Sequence, residues 1–180
     1  MKTSLVAAVL VLFAAIPALA QAPMAPEPAK EHAWLKQFEG EWETEMEAKD
    51  PSGMEFKCKG SMKSRMLGGF WVVNETKGEM MGMTMNGIQT IGFDEKKKKY
   101  VGTWVDNCMN HLWKYEGAVE GKAIHLEAEG PDFTNPGKMA KFRDSYEFKS
   151  PDLIIATSAA QGADGKWTEF VKGTMKRKKP

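Results

Sequence analysis

From Gly40 to the C-terminus the chain alternates between apolar and polar residues. The alternation runs through 41–48, 54–66, 70–80, 86–93, 99–106, 111–119, 122–129, 139–149, 152–159 and 167–176. A period of two is that of a strand with one face turned to a core. Phe142, Tyr146 and Phe148 share a side with Asp144, while Arg143, Ser145 and Glu147 take the other; Ile124, Leu126 and Ala128 oppose His125 and Glu127. Segment 152–159 is apolar on both sides, which predicts cover on both faces. Turn residues separate the runs at Asp50-Pro51-Ser52-Gly53, Gly68-Gly69, Asp94-Glu95-Lys96, Glu120-Gly121-Lys122, Ser150-Pro151-Asp152 and Ala163-Asp164-Gly165-Lys166. The longest interruption, Gly130 to Lys138, reads as an irregular loop over one end of the fold.

Short strands joined by hairpin turns, with no helical pattern between them, exclude a parallel sheet with crossover helices. The predicted class is all-β: an antiparallel up-and-down barrel of about ten strands, since closure removes exposed sheet edges in one step. One short helix precedes it over 29–38, where Trp34, Leu35 and Phe38 fall on one face and Gly40 ends the pattern. A helix of this length is marginal alone and must dock that face on something.

Upstream the pattern differs. Residues 1–20 have a basic start at Lys2, an apolar stretch from Leu5 to Ile16, and Ala18-Leu19-Ala20 ahead of Gln21. That is the form of a cleaved signal peptide, and the stretch is shorter than the roughly 20 apolar residues that span a bilayer. The chain is therefore expected to be exported, periplasmic or secreted, with no integral membrane segment after cleavage. Residues 21–30 read as a flexible, proline-rich lead and 31–178 as a single β-barrel domain. Lys and Arg number 25 against 24 Asp and Glu, and loss of Lys2 with the leader balances them. A neutral chain has no global field to draw it to nucleic acid or anionic lipid. Cys58 and Cys108 can pair in one way only, and an oxidising compartment would let that disulfide persist.

Chemistry is harder to read. Trp71, Trp104, Trp113, Tyr115, Tyr146 and Phe170 are spread over several strands, and those that point inward would converge in a closed barrel. They either line a pocket for a small, largely apolar ligand, with Asn74, Asp106, Asp144 and Glu169 as candidate polar groups, or simply fill the interior. In the second case the protein would act through its surface, with the Met-rich strand and the Gly130–Lys138 loop as contact regions. Arg143 and Glu169 could form an internal ion pair. Met81, Met83 and Met85 would share a strand face, and thioethers suit soft metals such as Cu(I), but Met is also an adaptable apolar filler. The run Lys96–Lys99 reads as a solvated turn. No nucleophile elbow, zinc-protease motif or phosphate loop occurs, so no catalytic residue is assigned and an enzyme trails the binding and interaction readings.

The segment from Gly92 to Asp106 (GFDEKKKKYVGTWVD), with Gly40-Glu41-Trp42, Gly78 to Met83 and Met175 to Lys178, resembles the family known as domain of unknown function 1579. The likeness extends from about residue 30 onward. It implies a calycin-like barrel, similar to lipocalins and nitrobindins, and no established activity or cofactor. Lipocalin-like chains pack a first-strand Trp against a base near the C-terminus, which here implies a structural role for Gly40, Trp42 and Arg177 through a cation–π contact. Nitrobindin-like barrels hold haem through a late histidine; His32, His111 and His125 offer no counterpart.

Overall fold

The structure, a computed structural model, describes residues 27–80 and 82–179. The signal-peptide reading of 1–20, most of the proline-rich lead and Met81 lie outside the described residues. A six-residue helix, α1 (Lys30–Leu35), continues as one 3-10 turn (Lys36–Phe38). Ten strands follow: β1 (Gly40–Lys49), β2 (Glu55–Leu67), β3 (Trp71–Met80), β4 (Met83–Asp94), β5 (Lys99–Asp106), β6 (Trp113–Glu120), β7 (Ala123–Pro131), β8 (Met139–Ser150), β9 (Leu153–Gln161) and β10 (Trp167–Arg177). Each pairs antiparallel with the next in sequence, and β10 returns to β1, so the barrel is closed. Hairpin order and alternation together produce this shape: closure gives every strand two partners and puts one face of each inside.

The two ends differ. The end that carries the starts of β1 and β3 and the end of β10 is plugged by α1 and the turn after it. Leu35, Phe38 and Trp42 are completely buried there. Fully burying a side chain of this size contributes roughly 1.5–3 kcal/mol, which explains how so short a helix persists. Phe148 meets Trp34, Phe38 and Trp42 edge-on with ring centroids 5.5, 5.0 and 6.4 Å away. Trp42 Nε1 donates to the Phe38 carbonyl at 2.8 Å. His32, which the sequence did not single out, is buried between Phe70 and Phe93. Its Nδ1 accepts from the Ala29 amide at 3.0 Å, so Nε2 carries the proton and donates to the Phe93 carbonyl at 3.2 Å.

Arg177 straps this end. Its guanidinium carbon lies 4.1 Å over the Trp42 ring. Its nitrogens donate to the carbonyls of Pro151 at 2.9 Å, Gln37 at 3.0 Å and Glu39. Gly40 has φ +120, and a Cβ there would stand 2.6 Å from Arg177 Nη1. Only glycine fits the backbone angle and leaves room for the strap.

Candidate functional site

The opposite end is hollow. A cavity of about 350 Å³ lies within the barrel between the aromatic plug and the rim formed by the turns after β1, β3, β5, β7 and β9. Alternation aims the lining inward from nearly every strand. Trp104 on β5, Trp113 and Tyr115 on β6, Phe142 on β8 and Phe170 on β10 supply aromatic walls. Met46, Met62, Met85, Met109 and Met175 add flexible thioether surface. Glycines make room for the two large indoles. A Cβ at Gly87 would stand 2.2 Å from the Trp104 ring, and one at Gly130 would stand 2.1 Å from that of Trp113. Phe133, in the loop after β7, folds back over the mouth with its ring centroid 5.0 Å from Phe142 and 6.0 Å from Phe170.

A polar network crosses the floor. Asp144 on β8 accepts from Tyr115 Oη at 2.5 Å and from Ser158 Oγ at 2.6 Å. Gln89 Nε2 donates to Tyr146 Oη at 3.2 Å, and Asn74 Nδ2 donates to Gln89 Oε1 at 3.0 Å. Asn74 Oδ1 is buried with no partner among the described residues. Burial pushes the Asp144 carboxyl above the usual carboxylate range, with the two hydroxyl donors pulling the other way. Burial also raises the Tyr115 and Tyr146 phenols, helped by the Asp144 charge. At the rim, Asp106 accepts from Trp104 Nε1 and the Cys108 amide, both at 2.7 Å, and from the Met109 amide at 3.0 Å. This carboxylate fixes one wall and ties off the turn after β5.

The sequence profile of the family described as "Protein of unknown function (DUF1579)" matches residues 27–177. The chain belongs to that family. No curated protein matches the sequence. Among solved structures, Rv2717c from M. tuberculosis is similar with a TM-score of 0.61 at 11% identity, covering 85% of this chain and 100% of that one. The S-type phycobiliprotein lyase CPES from Guillardia theta gives 0.55 at 11% identity over 82% of this chain and 92% of its own. At such identities the likeness is one of fold.

In this DUF1579 barrel Trp104, Asp106, Trp113, Tyr115, Asp144, Tyr146 and Phe170 border the cavity, and Asn74 reaches it through Gln89. Trp71 does not. It precedes inward-facing Val72, so it points outward and lies across Gly92, where a Cβ would come within 2.5 Å of its ring. Glu169 is also outside, 3.8 Å from Lys172. A bulge leaves Phe170 without a partner between Glu169, opposite Ala159, and Val171, opposite Ser158. It turns Phe170 into the cavity and Glu169 away from it. The internal Arg143–Glu169 pair is therefore absent. Arg143 faces outward, bound to Glu127 at 2.5 Å and stacked 4.1 Å over Trp167.

The methionines divide differently from the sequence reading. Met85 and Met80 border the cavity. Met83 is exposed at the end of its hairpin, beyond the point where β5 begins to pair with β4 at Gly87. Cys58 and Cys108 are free thiols rather than a disulfide. β3 and β4 separate their strands, so about three spacings of ~4.8 Å along the sheet stand where a disulfide needs Cα atoms within ~7 Å. None of the three histidines borders the cavity: His32 sits in the plug, His111 leans on Trp113 from outside at 5.0 Å, and His125 pairs with Ser145 at 2.8 Å. In the Lys96–Lys99 turn, Lys97 and Lys99 lie 2.6 and 2.8 Å from Glu116 and hold its carboxyl down at about 2.

Signals for several lining residues were present but ambiguous. Met46, Met62, Gln89, Phe133, Phe142 and Ser158 border the cavity too. Parity alone could not separate lining from filling, because both place apolar side chains inward.

Proposed function

We propose that this protein is exported and holds a small, largely apolar ligand inside the barrel, entering at the end opposite the helix. The observation that carries the reading is the cavity itself. Space of about 350 Å³, walled by aromatics and methionines over a floor of hydrogen-bonding groups, is the form of a ligand pocket. A barrel built only for stability would fill that volume, since empty space costs packing energy. Export is supported by the charge, apolar stretch and small residues of 1–20.

Titration with N-phenyl-1-naphthylamine, a neutral fluorescent probe, tests the pocket. Saturable binding of one probe per chain, lost when Ala156→Phe fills the interior, is the expected result. Binding unaffected by that substitution would contradict it. For export, the mature N-terminus read by mass spectrometry should be Gln21.

A second reading rests on sulphur. Met46 on β1 stands directly opposite Cys58 on β2, and both border the cavity with Met80 and Met85. A thiol and thioethers on neighbouring strands suit Cu(I). A competition titration in which Cys58→Ser takes up as much Cu(I) as the unmodified protein would end this reading.

A further inference from the structure

The cavity carries charge of one sign. Asp144 lies at its floor and Asp106 at its rim, and among the described residues no cationic side chain turns into it. Lys59 and Lys77 border it from outward-facing positions, their side chains exposed, Lys59 paired with Glu45 at 3.1 Å. Arg143, next to Asp144 in sequence, points to Glu127 and Trp167 on the outer face. The partners of Asp144 are two neutral hydroxyls, Tyr115 and Ser158.

Each carboxylate oxygen has two lone pairs, and each of those hydroxyls occupies one. Asp144 thus keeps acceptor capacity that nothing among the described residues uses, in a network whose Asn74 Oδ1 also lacks a donor there. A half-buried carboxylate with no counter-ion among the described residues is costly, so the site favours whatever brings positive charge to it. The aromatic walls act in the same direction, because ring faces attract cations.

We propose that the ligand is an apolar cation: a hydrocarbon or aromatic body bearing a protonated amine or quaternary ammonium group, its charge directed toward Asp144. This rests on the small-ligand reading above and narrows it to one chemical class. An amine would donate to the free lone pairs of Asp144; a quaternary ammonium would rely on the carboxylate charge and on Trp113 and Tyr115. An anionic amphiphile would bring a further negative charge beside two carboxylates in a poorly solvated space and is disfavoured.

The test displaces bound N-phenyl-1-naphthylamine from the full chain with decylamine, decyltrimethylammonium, 1-decanol and decanoate at neutral pH, below their micelle concentrations. The two cations should displace the probe at concentrations at least about ten-fold lower than decanol, a difference of ~1.4 kcal/mol, with decanoate weakest. Asp144→Asn should bring decylamine and decanol together, each displacement read against the variant's own probe affinity. Should that variant fail to fold, the series on the unmodified protein decides alone. Decanol or decanoate matching the cations would overturn the inference and leave the pocket standing. Failure of the neutral probe to bind would remove both.

Discussion

Asp144 costs the folded state something that its surroundings only partly return. Its raised carboxyl binds a proton more readily folded than unfolded. Its contribution to stability is therefore full below the ordinary carboxylate pKa and lost as pH rises through the raised value. Asp144→Asn is expected to melt at or above the wild-type temperature at neutral pH, with the difference shrinking toward pH 4; thermal melts across that range check the sign. Ligand affinity and stability then move in opposite directions at one residue, as at many binding sites. Gly87 makes the second prediction. Its hydrogen leaves the space that the Trp104 ring occupies, so Gly87→Ala should cost about 1–3 kcal/mol in urea unfolding and displace Trp104 from the cavity wall. The thiols make the third. Both should react with Ellman's reagent in the native protein, Cys108 faster than the partly buried Cys58, and intact mass should not change with reductant. At this scale the sequence was only partly legible. Asp144 and Tyr146 could be placed on one face because β8 keeps its parity through that stretch. Glu169 and Phe170 could not be sorted, since a one-residue bulge exchanges their faces without leaving a trace in the alternation.

At the scale of elements, the plugged end holds the molecule together and the open end is free to bind. α1 and its 3-10 turn meet the barrel through Leu35 and Phe38, and Arg177 binds the carbonyls of Gln37, Glu39 and Pro151 while stacking on Trp42. Removing the guanidinium leaves these acceptors without a donor. Arg177→Ala should lower unfolding free energy by about 2–4 kcal/mol, and Arg177→Lys should recover only part because an ammonium cannot span the same fork. Neither should alter probe affinity, since the strap lies at the far end from the cavity mouth. The spacing of Trp34, Leu35 and Phe38 made the helix and its docking face readable. His32 was not readable, because its burial depends on a bond to Phe93 across 61 positions of sequence. The Gly130–Lys138 loop was legible as an interruption, while the placement of Phe133 over the mouth depends on aromatic partners on β8 and β10.

For the whole molecule, hairpin order and alternation were enough to give a closed antiparallel barrel, because those two constraints leave few ways to bury one face of ten strands. They do not fix how much of the interior is filled. That depends on how side-chain volumes add across strands distant in sequence, and here the sum is solid at the helix end and hollow at the other. The near-neutral chain conceals an acidic interior, since among the described residues the two lysines that border the cavity, Lys59 and Lys77, direct their charge outward. The decisive observation is therefore where a ligand goes. Methyl NMR of protein labelled at its methionines tests this most directly, because Met46, Met62, Met85, Met109 and Met175 border the cavity, Met66 packs at the plugged end, and Met54 and Met139 are exposed at the rim outside the lining. Adding decylamine should shift the first group in saturable fashion and leave Met66 in place; shifts confined to the exposed methyls of Met54 and Met139 would contradict an internal site.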